Sequence, residues 1–146
     1  MVFKFKFATL LNVRKIQENI AQQAFSQAQR YVSSLQEMKE QISARKDILR
    51  VELMTRMRQG LSSTEVKGYY DFLNHLEQGI VRINENIKTA ERQVNEKREE
   101  LLKAKRSFKA IARLKEIHQA RFDATERKKD MNFLDEIAIL KAGGDR

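Results

Sequence analysis

From Val66 to Lys115 the chain repeats a stripe in alternating steps of three and four: Val66, Tyr69, Leu73, Leu76, Ile80, Ile83, Ile87, Ala90, Val94, Lys97, Leu101, Ala104, Phe108, Ile111 and Lys115. The two lysines are its only charged members. A mean spacing of 3.5 residues, held for about seven heptads, keeps one narrow stripe against a partner only when helices supercoil left-handedly. The pattern predicts one long helix, and a second helix to cover it.

The covering helix is written upstream. Leu10, Val13, Gln17, Ile20 and Ala24, then Ala28, Tyr31, Leu35, Met38, Ile42, Arg45 and Leu49, trace a similar stripe, with a stutter of four after four at Ala28 and another leading to Leu53 and Met57. Ahead of it Phe3, Phe5 and Phe7 alternate with lysines, too short a run for a strand with no sheet to join. The run reads as an extended lead-in that packs Phe7 on the second helix. Between the stripes, Gly60 suits a left-handed helix terminator. Ser62 and Glu65 then make an S-x-x-E capping box, with Leu61 and Val66 as its hydrophobic staple.

These signals predict an all-α fold, a long two-helix antiparallel coiled coil in a single domain over residues 1–146. The first helix runs over about 9–58, the turn over 59–62 and the second helix over about 63–141. So short a connection places residue i of the first helix opposite roughly 121 minus i of the second. The first helix therefore ends opposite about position 115 to 120, where the second stripe turns polar at Thr125, Lys129, Asn132 and Glu136. Past that point the second helix projects without an intramolecular partner, carrying Phe122, Met131, Phe133, Leu134, Ile137 and Leu140, until Gly143-Gly144 end it. A lone projecting helix is marginal in water, so its apolar residues point to another protein.

Composition narrows the class. No proline, no tryptophan and five glycines against 34% charged residues leave few sharp reversals, as a few long helices require. The lack of cysteine excludes a disulfide framework and cysteine metal sites, and no apolar run approaches the roughly 18 residues of a membrane span. The chain reads as cytosolic. Of the net charge of +9, Lys and Arg against Asp and Glu count 11 to 5 over residues 1–60, 6 to 8 over 61–102 and 12 to 7 over 103–146. Both ends are basic and the middle is slightly acidic, so an antiparallel hairpin gathers positive charge at its open end.

Catalytic chemistry is not written in the chain. His75 and His118 stand alone without metal-ligand spacing, and no phosphate-binding glycine loop occurs. Two helices also lack the concave pocket that catalysis needs. The sequence excludes an enzyme and implies no cofactor. Lys103, Lys105, Arg106, Lys109, Arg113 and Lys115 form a basic run free of acids, read as a solvated face or as a surface for an acidic protein. Phe108 is its one aromatic and belongs to the stripe, which disfavours nucleic acid as a partner. Tyr70 and Phe72 fall off the stripe and offer either a wider seam or a docking patch on the flank.

Several of these features together resemble the FliJ family, soluble components of the bacterial flagellar type III export apparatus. They are Phe3-x-Phe5 with Leu10-Leu11, the Gly60-Leu61-Ser62 hairpin, Tyr70-x-Phe72-Leu73-x-x-Leu76 and the terminal Leu134-Asp135-Glu136-x-Ala138. The resemblance implies a cytoplasmic antiparallel coiled coil similar to the rotor stalk of the ATP synthase γ subunit. It also implies three partners: a hexameric flagellar export ATPase, an export-gate membrane protein and export chaperones, with membrane association only through them. The gate surface it implies comprises Ile42, Phe72 and Leu76, while Arg45, Leu49, Gly79 and Ile83 depart from the family pattern. The ATPase-ring surface implied for the terminal end comprises Arg113, Arg121, Phe122, Arg127, Lys128, Lys129, Leu134, Asp135, Glu136 and Ile137. Alternatives are the stalk of a virulence injectisome or of another rotary ATPase, and a structural or nucleic-acid-binding coiled coil.

Overall fold

The computed structural model describes residues 1–144. The fold is an all-α, two-helix antiparallel hairpin with coiled-coil-like packing, α1 spanning Ala8–Gln59 and α2 spanning Ser63–Gly144. The helix-forming tracts contain no proline, and the reversal sits at the glycine and cap residues. Gly60 has a φ of 101°, a left-handed conformation that side chains with a Cβ resist. Ser62 is the N-cap of α2: its Oγ accepts from the Glu65 backbone N–H at 3.2 Å, and its carbonyl accepts from Val66 N–H at 3.1 Å. At its other end α2 continues through Gly143 and Gly144 rather than stopping before them. Contacts divide the chain into two compact units, one joining Met1–Ile20 to the chain from Leu102 onward, the other spanning Ala21–Leu101.

In the Ala21–Leu101 unit the buried residues are Leu35, Leu53, Leu73, Leu76, Ala90 and Leu101, all apolar. Two packed helices leave most seam positions half-buried, because no third element closes the flanks. On α2 every expected seam position from Val66 to Leu101 is buried or half-buried. On α1 the seam differs from the expected stripe. It passes through Ala21, Phe25, Ala28, Val32, Leu35, Lys39, Ile42, Lys46, Leu49 and Leu53, in unbroken three-four steps, leaving Tyr31, Met38 and Arg45 exposed. The stutter disappears with this correction. Lys39 and Lys46 hold seam positions because their long aliphatic stems pack while the ammonium groups reach outward. Lys46 pairs with Glu77 across the seam, and the Arg98 guanidinium lies 5.6 Å from the Phe25 ring centroid.

In the other unit the lead-in covers α2 with two aromatic rings, and a third packs on one of them. Phe3 packs on Phe122 at 5.5 Å between centroids, Phe5 on His118 at 5.6 Å, and Phe7 edge-on to Phe5 at 5.8 Å. Phe3 and Phe5, more than Phe7, thus make the aromatic contacts with the second helix. Leu11, Arg14 and Glu18 hold the α1 seam here, while Val13, Gln17 and Ile20, expected to face inward, are exposed. On α2 the half-buried positions Ala104, Phe108 and Ile111 continue the seam, and Lys15 sits 5.0 Å over the Phe108 ring. Cross-helix partners in both units lie two positions later along α2 than the expected rule: Glu77 faces Lys46, Arg98 faces Phe25 and Phe108 faces Lys15.

Candidate partner-binding surfaces

The first surface lies in the Ala21–Leu101 unit, where the seam turns Leu73 and Leu76 inward and leaves Phe72 on the flank. Phe72 keeps 37% of its surface exposed, while Leu73 and Leu76 keep 9% and 8%. Leu76 is therefore a support beneath the surface, and Ile42 is half-buried with its Cδ1 3.9 Å from where a Gly79 Cβ would stand. Phe72 alone of the three expected gate residues presents its side chain. Arg45 lies over its ring at 5.3 Å, and the His75 ring stands 6.4 Å away. Toward the turn, Leu49, Arg56, Glu65, Gly68, Tyr69 and Phe72 line an open groove of about 350 Å³.

A polar relay fixes one wall of that groove. Arg56 donates to the Tyr69 hydroxyl at 2.7 Å, and Tyr69 in turn donates to Glu52 Oε1 at 3.1 Å. The hydrogen bond to Tyr69 raises the Arg56 pKa above its ordinary value. Tyr69 is consequently pinned at the seam edge, and Phe72 and Leu49 form the apolar floor beside it.

The second surface lies in the unit that joins Met1–Ile20 to the chain from Leu102 onward. Every described residue from Met131 onward is exposed, including Met131, Phe133, Leu134, Ile137, Ile139 and Leu140. Leu134 and Ile137, three apart on α2, are 63% and 37% exposed, with Asp135 and Glu136 beside them. Arg121, Arg127 and Lys128 are exposed on the preceding turns. Arg113 pairs with Glu116 at 3.1 Å and Lys129 with Glu126 at 3.9 Å, both within α2 and on its surface. Phe122 belongs to a different setting, half-buried against Phe3.

Two exposed patches escaped the sequence reading. Val13, Ile16 and Ile20 line the outer face of α1 in one unit, and Ile48, Val51 and Met54 line it in the other. The first is spaced by three and four and the second by three and three, but the seam stripe expected from the sequence takes up Val13 and Ile20. Among the described residues no group of three or more His, Cys, Asp or Glu could hold a metal, and no helix is long and apolar enough to cross a membrane.

Together these features define a class: an antiparallel helical hairpin whose distinctive groups are exposed apolar and charged side chains rather than reactive ones. Residues 3–145 match the family described as Flagellar FliJ protein, and the chain belongs to the FliJ family of flagellar export components, whose members are not enzymes. It is 24% identical over 142 residues to the flagellar FliJ protein of Bacillus subtilis (strain 168), covering 95% of each chain. No solved structure matches it.

Proposed function

We propose that this chain is the non-enzymatic stalk of a flagellar type III export apparatus, engaging a hexameric export ATPase through its terminal segment and an export-gate membrane protein through the Phe72 surface. Export chaperones are a third class of partner, and the chain works in the cytoplasm at the inner face of the membrane, held there by its partners. The observation that carries the reading is the helix from Met131 onward, which displays six large apolar side chains to solvent beside a basic stretch. Exposed apolar residues on a helix with no intramolecular partner are stabilised by burial in another protein. Basic residues next to them favour an acidic lining and speed association.

The test is ATP hydrolysis by the ring. Leu134→Asp with Ile137→Asp changes two exposed positions, so the fold should persist while stimulation of the ATPase is lost. A doubly substituted chain that stimulates hydrolysis as well as the unaltered one overturns the reading. Charge reversal at Lys128 and Lys129 should slow association and flatten its dependence on salt.

A further inference from the structure

We infer that the lead-in, residues 1–7, is a strap that masks the start of the terminal α2 face in the free chain and lifts off Phe122 when the ATPase ring grips that face. This deepens the ring reading above and rests on it.

Phe122 opens a stripe that the lead-in covers only at its start. Phe133 follows it by about three turns, and Ile137 and Leu140 follow at steps of four and three, so the four share one face of α2. Phe133, Ile137 and Leu140 are exposed. Phe122 is half-buried against Phe3, and His118, one turn earlier on the same face, is half-buried against Phe5. A partner seated on the whole face therefore competes with the lead-in for Phe122 and His118.

The lead-in is held on α2 by rings. Its backbone bonds run to α1 instead: Ala8 N–H donates to the Phe5 carbonyl at 3.3 Å, and Leu11 N–H to that of Phe7 at 2.9 Å. Met1, Val2, Lys4 and Lys6, around and between the three rings, are exposed. A segment fixed by a few half-exposed aromatic contacts opens at low cost. Seven extended residues reach at most ~25 Å, so the freed strap stays close to α2 and closes again when the partner leaves. While it is closed the face is not available, and the apparent affinity of the ring falls by the fraction of chains in the open form.

Binding of the full chain to the purified hexameric ATPase, together with the hydrolysis it stimulates, tests this. Phe3→Ser with Phe5→Ser keeps the lead-in but removes its grip, and should tighten binding about tenfold without changing stimulation at saturation, because the masked form is no longer populated. Neither residue belongs to a helix, so circular dichroism should show the hairpin unchanged. A second measurement leaves both rings in place. The chain has no cysteine, so Val2→Cys with Ala124→Cys, both at exposed positions, carries a spin-label pair whose separation should lengthen when the ring binds. Should the serine variant lose helical content, the label pair decides alone. Leu134→Asp with Ile137→Asp is the control for the ring reading itself: if that variant stimulates hydrolysis fully, the ring reading fails, and this inference with it. If it loses stimulation while the folded serine variant binds no tighter, or while the label separation stays fixed on binding, the ring reading stands and the masking is overturned, the lead-in being a part of the fold that the ring accepts closed.

Discussion

Phe72 and Leu73 are neighbours in the chain with opposite duties, and the heptad phase alone separates them. Leu73 occupies the seam and is 9% exposed, whereas Phe72 is 37% exposed on the flank. Leu73→Ala should therefore cost about 2–5 kcal/mol of stability, and Phe72→Ala well under the ~3 kcal/mol minimum of a core phenylalanine. Urea denaturation of the two variants checks this, and comparable losses would place Phe72 in the core. Gly60 poses a purely conformational case: a Cβ there meets nothing within 4 Å, yet its φ is 101°. Gly60→Ala should thus cost about 1–2 kcal/mol from backbone strain alone, read in the same assay. Both positions were legible in the sequence. Arg45 over Phe72 was not, because a stripe drawn through Tyr31, Met38 and Arg45 put the arginine in the seam. The structure moves the seam to Lys39, Ile42 and Lys46 and leaves Arg45 on the flank beside the ring.

The two helices differed in how openly they declared their packing. α2 spends mostly apolar residues on its seam, so every seam position its periodicity marks as far as Ile111 is buried or half-buried, and the last expected member, Lys115, is exposed. α1 instead places Arg14, Glu18, Lys39 and Lys46 at half-buried seam positions and puts aliphatic residues at exposed ones, among them Val13, Ile16, Ile20, Ile48 and Val51. A rule that follows hydrophobicity slips by one residue on such a helix, because long charged side chains can pack their stems and release their heads. The two-position shift in cross-helix register had a different cause. It depends on the number of residues the turn consumes, which the cap motif locates only to within a residue or two.

The polar seam positions carry a prediction. Glu18 Oε2 is buried without a hydrogen bond, and Lys15 stands 3.7 Å from it. The ion pair with Lys15 leaves that oxygen without a hydrogen bond, a cost that an apolar side chain of similar size removes. Glu18→Leu should accordingly raise stability by about 1 kcal/mol, seen as a higher urea midpoint. A lower midpoint would mean that the pairing with Lys15, aided by Lys105 and Lys109 lining the adjacent 210 Å³ cavity, outweighs that cost.

For the whole chain the decisive division is between α2 residues that have a partner on α1 or its lead-in and those that have none. The sequence placed that boundary at about position 115 to 120, counting only helical residues of α1. The lead-in extends the cover, since Phe5 reaches His118 and Phe3 reaches Phe122. The first wholly exposed run begins at Arg127 instead. Deleting the chain from Arg127 onward should therefore leave the helical hairpin folded, with little change in melting temperature, because every described residue it removes is exposed. In the full chain, backbone amides from Met131 onward should exchange with solvent fastest within α2, since local opening there exposes almost no new apolar surface. A deletion starting at Arg121 should behave differently. It removes Phe122 and leaves Phe3 without its aromatic partner, which should loosen the lead-in and cost about 1 kcal/mol from the lost aromatic pair alone. The same two deletions separate folding from function. Both should lose stimulation of the export ATPase, because both lack Leu134 and Ile137, but only the longer should lose stability. If the shorter deletion melts early, the terminal helix is part of the fold. If it stimulates the ring fully, the anchors lie elsewhere, and the exposed Val13, Ile16 and Ile20 face becomes the next surface to change.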